Sequence, residues 1–173
     1  MSDLVSKAKE GRGSLEKIAA AIPGFSGYME RATRRDADRL LRQTVAAGFE
    51  QQWSRVSEIQ RQLAASKLIE LVGSLEAAAL KLRILTDRIR TASYGYAGFF
   101  DIIKINEAQL AQLYQFDNSL LDLVKQVTAA VDNVESSVGS DGLPAAIRNL
   151  TGLAQTGVDT FAGRSEVLTS AGQ

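Results

Sequence analysis

Cysteine and histidine are both missing from this 173-residue chain. Without cysteine there are no disulfides, thiolate nucleophiles, zinc fingers or cysteine-held iron–sulfur clusters, which fits a reducing compartment. Without histidine the commonest general base and the commonest metal ligand are gone. The Glu-x-x-His di-iron motif of helical bundles cannot be built. Only an all-carboxylate site for Mg²⁺ or Ca²⁺ would remain open, and no metal or cofactor is expected. An excess of charge is also lacking, since 20 Lys and Arg balance 20 Asp and Glu. A general attraction to nucleic acid is therefore unsupported, and no nucleic-acid partner is expected. Long hydrophobic runs are absent too. None approaches the roughly 18 apolar residues of a membrane span, and "MSDLVSKAKEGRGSLEK" lacks the apolar centre of a signal peptide. These features predict a cytoplasmic location.

The catalytic inventory is equally thin. There is no nucleophile beside a base, and Gly95-Tyr-Ala-Gly98 is too short for a phosphate loop and lacks its lysine. Any chemistry would rest on Asp, Glu, Tyr, Lys or Arg alone, so a non-enzymatic role is expected.

What is present is helical periodicity. Prolines number two, Pro23 and Pro144, and neither interrupts a long apolar repeat. Apolar residues recur at threes and fours nearly everywhere. One domain over 1–173 is expected, with an N-terminal helix and Pro/Gly turn over 1–28 and bundle helices over 29–64, 67–92, 106–138 and 143–169. That is an all-α, up-down-up-down four-helix bundle with an additional short N-terminal helix. Gly11 and Gly13 interrupt the first segment.

The 29–64 helix has the stripe Leu41, Val45, Phe49, Val56, Ile59 and Leu63, flanked by Trp53. The stripe changes phase near Ala64–Lys67, so a turn is placed there with Ser66 as N-cap. The next stripe is Leu68, Leu71, Leu75, Ala78, Leu82, Leu85, Ile89 and Ala92. In the fourth helix Asn106 and Gln109 form a capping box, with Ile105 and Leu110 as its hydrophobic staple. Its inward series runs Leu110, Leu113, Asp117, Leu120, Val124, Val127, Val131, Val134, Val138. The last helix starts on Pro144 in its first turn. Its series is Leu143, Ile147, Leu150, Ala154, Val158, Phe161 and Leu168. Gly152, Gly157 and Gly163 weaken it or let neighbours approach closely.

Three features depart from plain amphipathic pattern. "PGFSGY" (23–28) and "YGYAGFFDIIK" (94–104) share one end of such a bundle and carry Phe25, Tyr28, Tyr94, Tyr96, Phe99 and Phe100. They form either a hydrophobic cap, with Gly95 and Gly98 ending the helix and turning the chain, or a docking surface. The docking reading admits a protein partner, self-association or a membrane surface. "RATRRDADRLLR" (31–42) reads as a salt-bridged face with Glu30–Arg34 and Asp38–Arg42 pairs. Alternatively Arg31, Arg34 and Arg35 hold an anionic group beside the aromatic end. Lastly, Asp117 occupies a core position. A buried lone carboxylate needs a partner, and Arg88, Arg90, Arg35 or Arg39 could reach it. It is either an ion pair or tyrosine hydrogen bond that fixes register or the polar element of a ligand site.

Two stretches, "IPGFSGYMERATRRDADRLLR" and "DRIRTASYGYAGFFDIIKINEAQLAQLYQFDNSLLD", together with "FAGRSEVL" (161–168), resemble a family of small uncharacterised helical proteins of bacteria and archaea. The resemblance spans most of the chain. It implies that the aromatic loop is a family feature, and it carries no activity, cofactor or partner with it. The expectation is a helical adaptor or assembly component acting through protein–protein contacts. The alternatives are a peripheral membrane accessory protein using the 94–104 loop and, more distantly, a small-ligand carrier or enzyme with a site inside the bundle.

Overall fold

A computed structural model describes the backbone of residues 2–22, 25, 34–96 and 107–170, and side chains within 12–22, 25, 36–92 and 108–169. The described residues form five helices: α1 (Ser2–Ala21), α2 (Arg34–Ala65), α3 (Ile69–Tyr96), α4 (Glu107–Ser137) and α5 (Leu143–Ser170). The described residues form no strand, so the fold is all-α as the periodicity predicts. No described helix is long and apolar enough to cross a membrane.

Helix directions follow from which residues meet. Gly48 of α2 lies against Val124 of α4, and Arg55 reaches Asp132 and Glu135. Both numbers rise together, so α2 and α4 run parallel. Lys81 donates to Gln155 and Leu85 lies on Gly157, so α3 and α5 are also parallel. Leu123 touches Gly157 and Phe116 touches Gly163, which makes α4 and α5 antiparallel. The strongly packed pairs are α2 with α3, α4 with α5 and α3 with α5, with α2 meeting α4 more lightly. Around the bundle the order is thus α2, α3, α5, α4. Successive bundle helices alternate in direction, and the link from α3 to α4 joins helices on a diagonal. α1 packs on the outside of α4, where Asn118 Nδ2 donates to the Ser14 carbonyl at 2.9 Å.

The stripes read from sequence become one core. Leu41, Val45, Phe49, Val56, Ile59 and Leu63 of α2 are buried, as are Leu75, Ala78, Leu82, Leu85 and Ile89 of α3. From α4 come Leu113, Leu120, Val127, Val131 and Val134, and from α5 Leu143, Ile147, Leu150, Ala154, Phe161 and Leu168. Two stripe ends fail: Leu68 and Val138 are exposed, because each lies in a connection between helices rather than on a helix face. Ile18 of α1 joins the core, as do Ile22 and Phe25 just beyond that helix. Gly11 and Gly13 do not break α1, which is one continuous helix of 20 residues.

The turn between α2 and α3 is where the phase change put it, with a different cap. Lys67 N–H donates to the Ala64 carbonyl at 3.0 Å, and Leu68 N–H donates to the Leu63 carbonyl at 2.9 Å. That is the Schellman termination of a helix, and it puts Lys67 at φ 61°, a conformation that suits glycine. Ser66 is therefore the C-cap that follows α2, its N–H still donating to the Gln62 carbonyl, and not an N-cap. The Leu68 carbonyl receives Leu71 N–H and Val72 N–H and opens α3. At its other end α3 runs on to Tyr96, beyond the expected Ala92. Gly95 thus lies inside the helix and does not end it, while Gly98 and the capping residue Asn106 lie outside the described residues. At the α4–α5 turn, Gly139 (φ 82°) and the Gly142 carbonyl, accepting from Ala146 N–H, end one helix and open the next.

Candidate functional site

The start of α2, the end of α3, the start of α4 and the end of α5 share one end of the bundle, here the loop end. Just inside it lies a cluster of buried charges. Asp117 is 4% exposed and Arg164 1%. Arg164 Nε donates to Asp117 Oδ1 at 2.6 Å, and its Nη2 donates to Asp38 Oδ1. Arg42 Nε donates to Asp38 Oδ2 at 2.7 Å. Two guanidiniums thus face two carboxylates, from α2, α4 and α5, and the charges balance.

Each member sits on its helix's core face. Leu113 and Leu120 flank Asp117, and Phe161 and Leu168 flank Arg164, and all four are buried. Burial of a charge is tolerable only when it is paired and hydrogen-bonded, and here every charge has an opposite. Burial works against the Arg164 charge, but the two aspartates outweigh it and raise its pKa above the ordinary arginine value. Burial raises the Asp117 carboxyl above its ordinary value, while the charge and hydrogen bond of Arg164 act against that rise.

The inward orientation of Asp117 agrees with its place in the stripe. Its partner is none of the four arginines proposed from sequence. Arg39 and Arg88 are exposed, Arg90 pairs with Glu50, and the Arg35 side chain lies outside the described residues. The partner is Arg164, and the sequence did contain a signal for it. The α5 stripe jumps from Phe161 to Leu168, and the missing core position is filled by an arginine inside "FAGRSEVL". The Asp38–Arg42 pair forms as its spacing predicts, but it is also inside the protein, with Asp38 turned toward Arg164.

Of the candidate interaction residues, only Phe25 has a described side chain, and it is buried. The side chains of Tyr28, Arg31, Arg34, Arg35, Tyr94, Tyr96, Phe99 and Phe100 lie outside the described residues, as does the Glu30–Arg34 pair. The backbone of Arg34 and Arg35 begins α2, and Tyr94 and Tyr96 fall in the last turn of α3.

An open groove of about 620 Å³ runs between α4 and α5, lined by Gln112, Phe116, Ser119, Gly163 and Glu166 among others. It lies on the outside of the bundle, with Phe116 and Gly163 immediately preceding the buried Asp117 and Arg164 in sequence. Among the described residues no group of three or more Asp and Glu is placed to hold a metal ion.

Compared with known proteins, the chain matches no family model, no curated protein and no solved structure.

Proposed function

We propose that this chain is a non-enzymatic helical bundle that serves as an adaptor or assembly component through protein–protein contacts at its loop end. The contacts come from the aromatic 94–104 stretch, with Tyr28 and the arginines Arg31, Arg34 and Arg35. The observation that carries the reading is the closed charge balance beneath that end. Asp38, Asp117, Arg42 and Arg164 answer one another, so these four side chains are engaged in holding three helices together. In this reading the cluster keeps the loop end in one shape, and the residues beyond it make the contacts. Phe25, being core, is left out of the surface.

The test compares the wild-type chain with Phe99→Ser/Phe100→Ser in cell-extract crosslinking and in liposome co-sedimentation. The proposal expects a defined set of protein partners that the variant loses, and no sedimentation of either form with lipid. Partners unchanged by the substitutions would contradict it. Lipid binding that the variant loses would favour the membrane reading.

A further inference from the structure

Opposite its core face, α3 carries a second apolar row. Leu75, Leu82, Leu85 and Ile89 are buried. Ile69, Gly73, Ala77, Leu80 and Ile84 follow at steps of four, four, three and four on the other side of the helix. Ile69 is 64% exposed and Leu80 51%, Gly73 and Ala77 are exposed and Ile84 is half-buried. At 1.5 Å per residue the row is about 22 Å long. The neighbours of α3 meet it on its flanks, as in the Gln60–Glu76 and Lys81–Gln155 hydrogen bonds. α1 lies away on α4. Single exposed apolar residues are ordinary, but a continuous row in one register is a candidate contact surface.

The charges beside the row indicate what fits it. With 3.6 residues per turn, Glu70 and Arg88 lie along one edge of the row, and Glu76 and Arg83, with Asp87 one turn on and 3.9 Å from Arg83, along the other. Consider a second copy of α3, antiparallel to the first, related by a two-fold axis that passes the outer face of the helix at the level of Ala79. Glu70 of each copy then faces Arg88 of the other, and on the opposite edge Glu76 faces Arg83. Between them, Leu80 and Ile84 of one copy lie over Ala77 and Gly73 of the other, large residues on small ones. Both edges and the row match with the axis within about half a residue of Ala79, and a self-complementary patch is what a two-fold contact requires.

We propose that this face of α3 is an isologous, antiparallel contact with a second copy of this chain. It shares no residue with the loop end, so its failure would leave the reading above untouched.

Sedimentation equilibrium from micromolar to submillimolar concentration tests it, with thermal unfolding as a control for folding. The wild-type chain is expected to dimerise. Leu80→Glu is expected to raise the dissociation constant by about 30-fold or more, as loss of a central anchor does. Its helical content should not change, because Leu80 already faces solvent. Glu70→Arg and Arg88→Glu should each weaken the dimer by placing like charges together twice. Mixed in equal amounts, these two variants should associate more tightly than either alone, because their heterodimer restores both opposite-charge pairs. A chain that stays monomeric throughout, a dimer indifferent to Leu80→Glu, or a mixture no tighter than its components would overturn the proposal.

Discussion

The two ends of the bundle are held together by different means. At the turn end, the core is apolar: Val56, Ile59 and Leu63 of α2 meet Leu75, Val134, Leu143 and Ile147 in one cluster. Charges stay at the rim there, where Arg55 donates to Asp132 and Glu135, both exposed. At the loop end, core positions of three helices are given to Asp38, Asp117 and Arg164, and the ion pairs are inside. Apolar packing is non-directional and rewards area alone, whereas a guanidinium forked between two carboxylates is satisfied in one arrangement. The turn end therefore rests on apolar packing, and the loop end on directional ion pairs.

The comparison breaks most sharply at Arg164. Arg164→Leu leaves two buried carboxylates facing each other and should cost about 3–5 kcal/mol, measured by equilibrium urea unfolding followed by helical circular dichroism. Glycines in α5 come next. A Cβ on Gly157 would lie 2.5 Å from Leu85 Cδ2 and 3.0 Å from Leu123 Cδ2. Leu85 is fully buried and its methyl would have to shift within the core, so Gly157→Ala should lose about 1–2 kcal/mol by overpacking. Gly152 meets nothing within 4 Å, so Gly152→Ala should gain up to about 1 kcal/mol of helix propensity in the same assay. Lys67→Gly relieves a left-handed lysine in the α2–α3 turn and should raise stability by about 1 kcal/mol. The smallest effect belongs to the rim: Arg55→Ala should lose no more than about 1 kcal/mol, and less in high salt.

Much of the frame is legible in the sequence because burial on one helix face imposes a repeat that anyone can count. The phase change between Leu63 and Leu68 locates the α2–α3 turn, and Asp117 stands out as a charge in an otherwise apolar series. The repeat fixes which way a residue points along its own helix, but not which helix lies opposite. The short turn after Ser137 makes α4 and α5 neighbours, but α4 also lies beside α2, and the repeat does not say which charge on which neighbour meets Asp117. The same limit explains the glycines. Gly152, Gly157 and Gly163 look alike in sequence, but Gly157 meets Leu85 and Leu123, Gly163 meets Phe116, and Gly152 meets nothing. Cap identity failed for another reason. Ser66 has good N-cap chemistry, but a Schellman termination is made by backbone groups and can place a lysine where glycine is expected.

The claim that the buried charges act as one structural unit is tested most directly by a double-mutant cycle on Asp117→Leu and Arg164→Leu, read by equilibrium unfolding. The double variant keeps the balanced Asp38–Arg42 pair and fills the site with apolar groups. The account predicts that it is more stable than Arg164→Leu alone by about 2 kcal/mol or more, since removing both partners spares the cost of a stranded charge. Losses that simply add, with the double variant the least stable of the three, would contradict it.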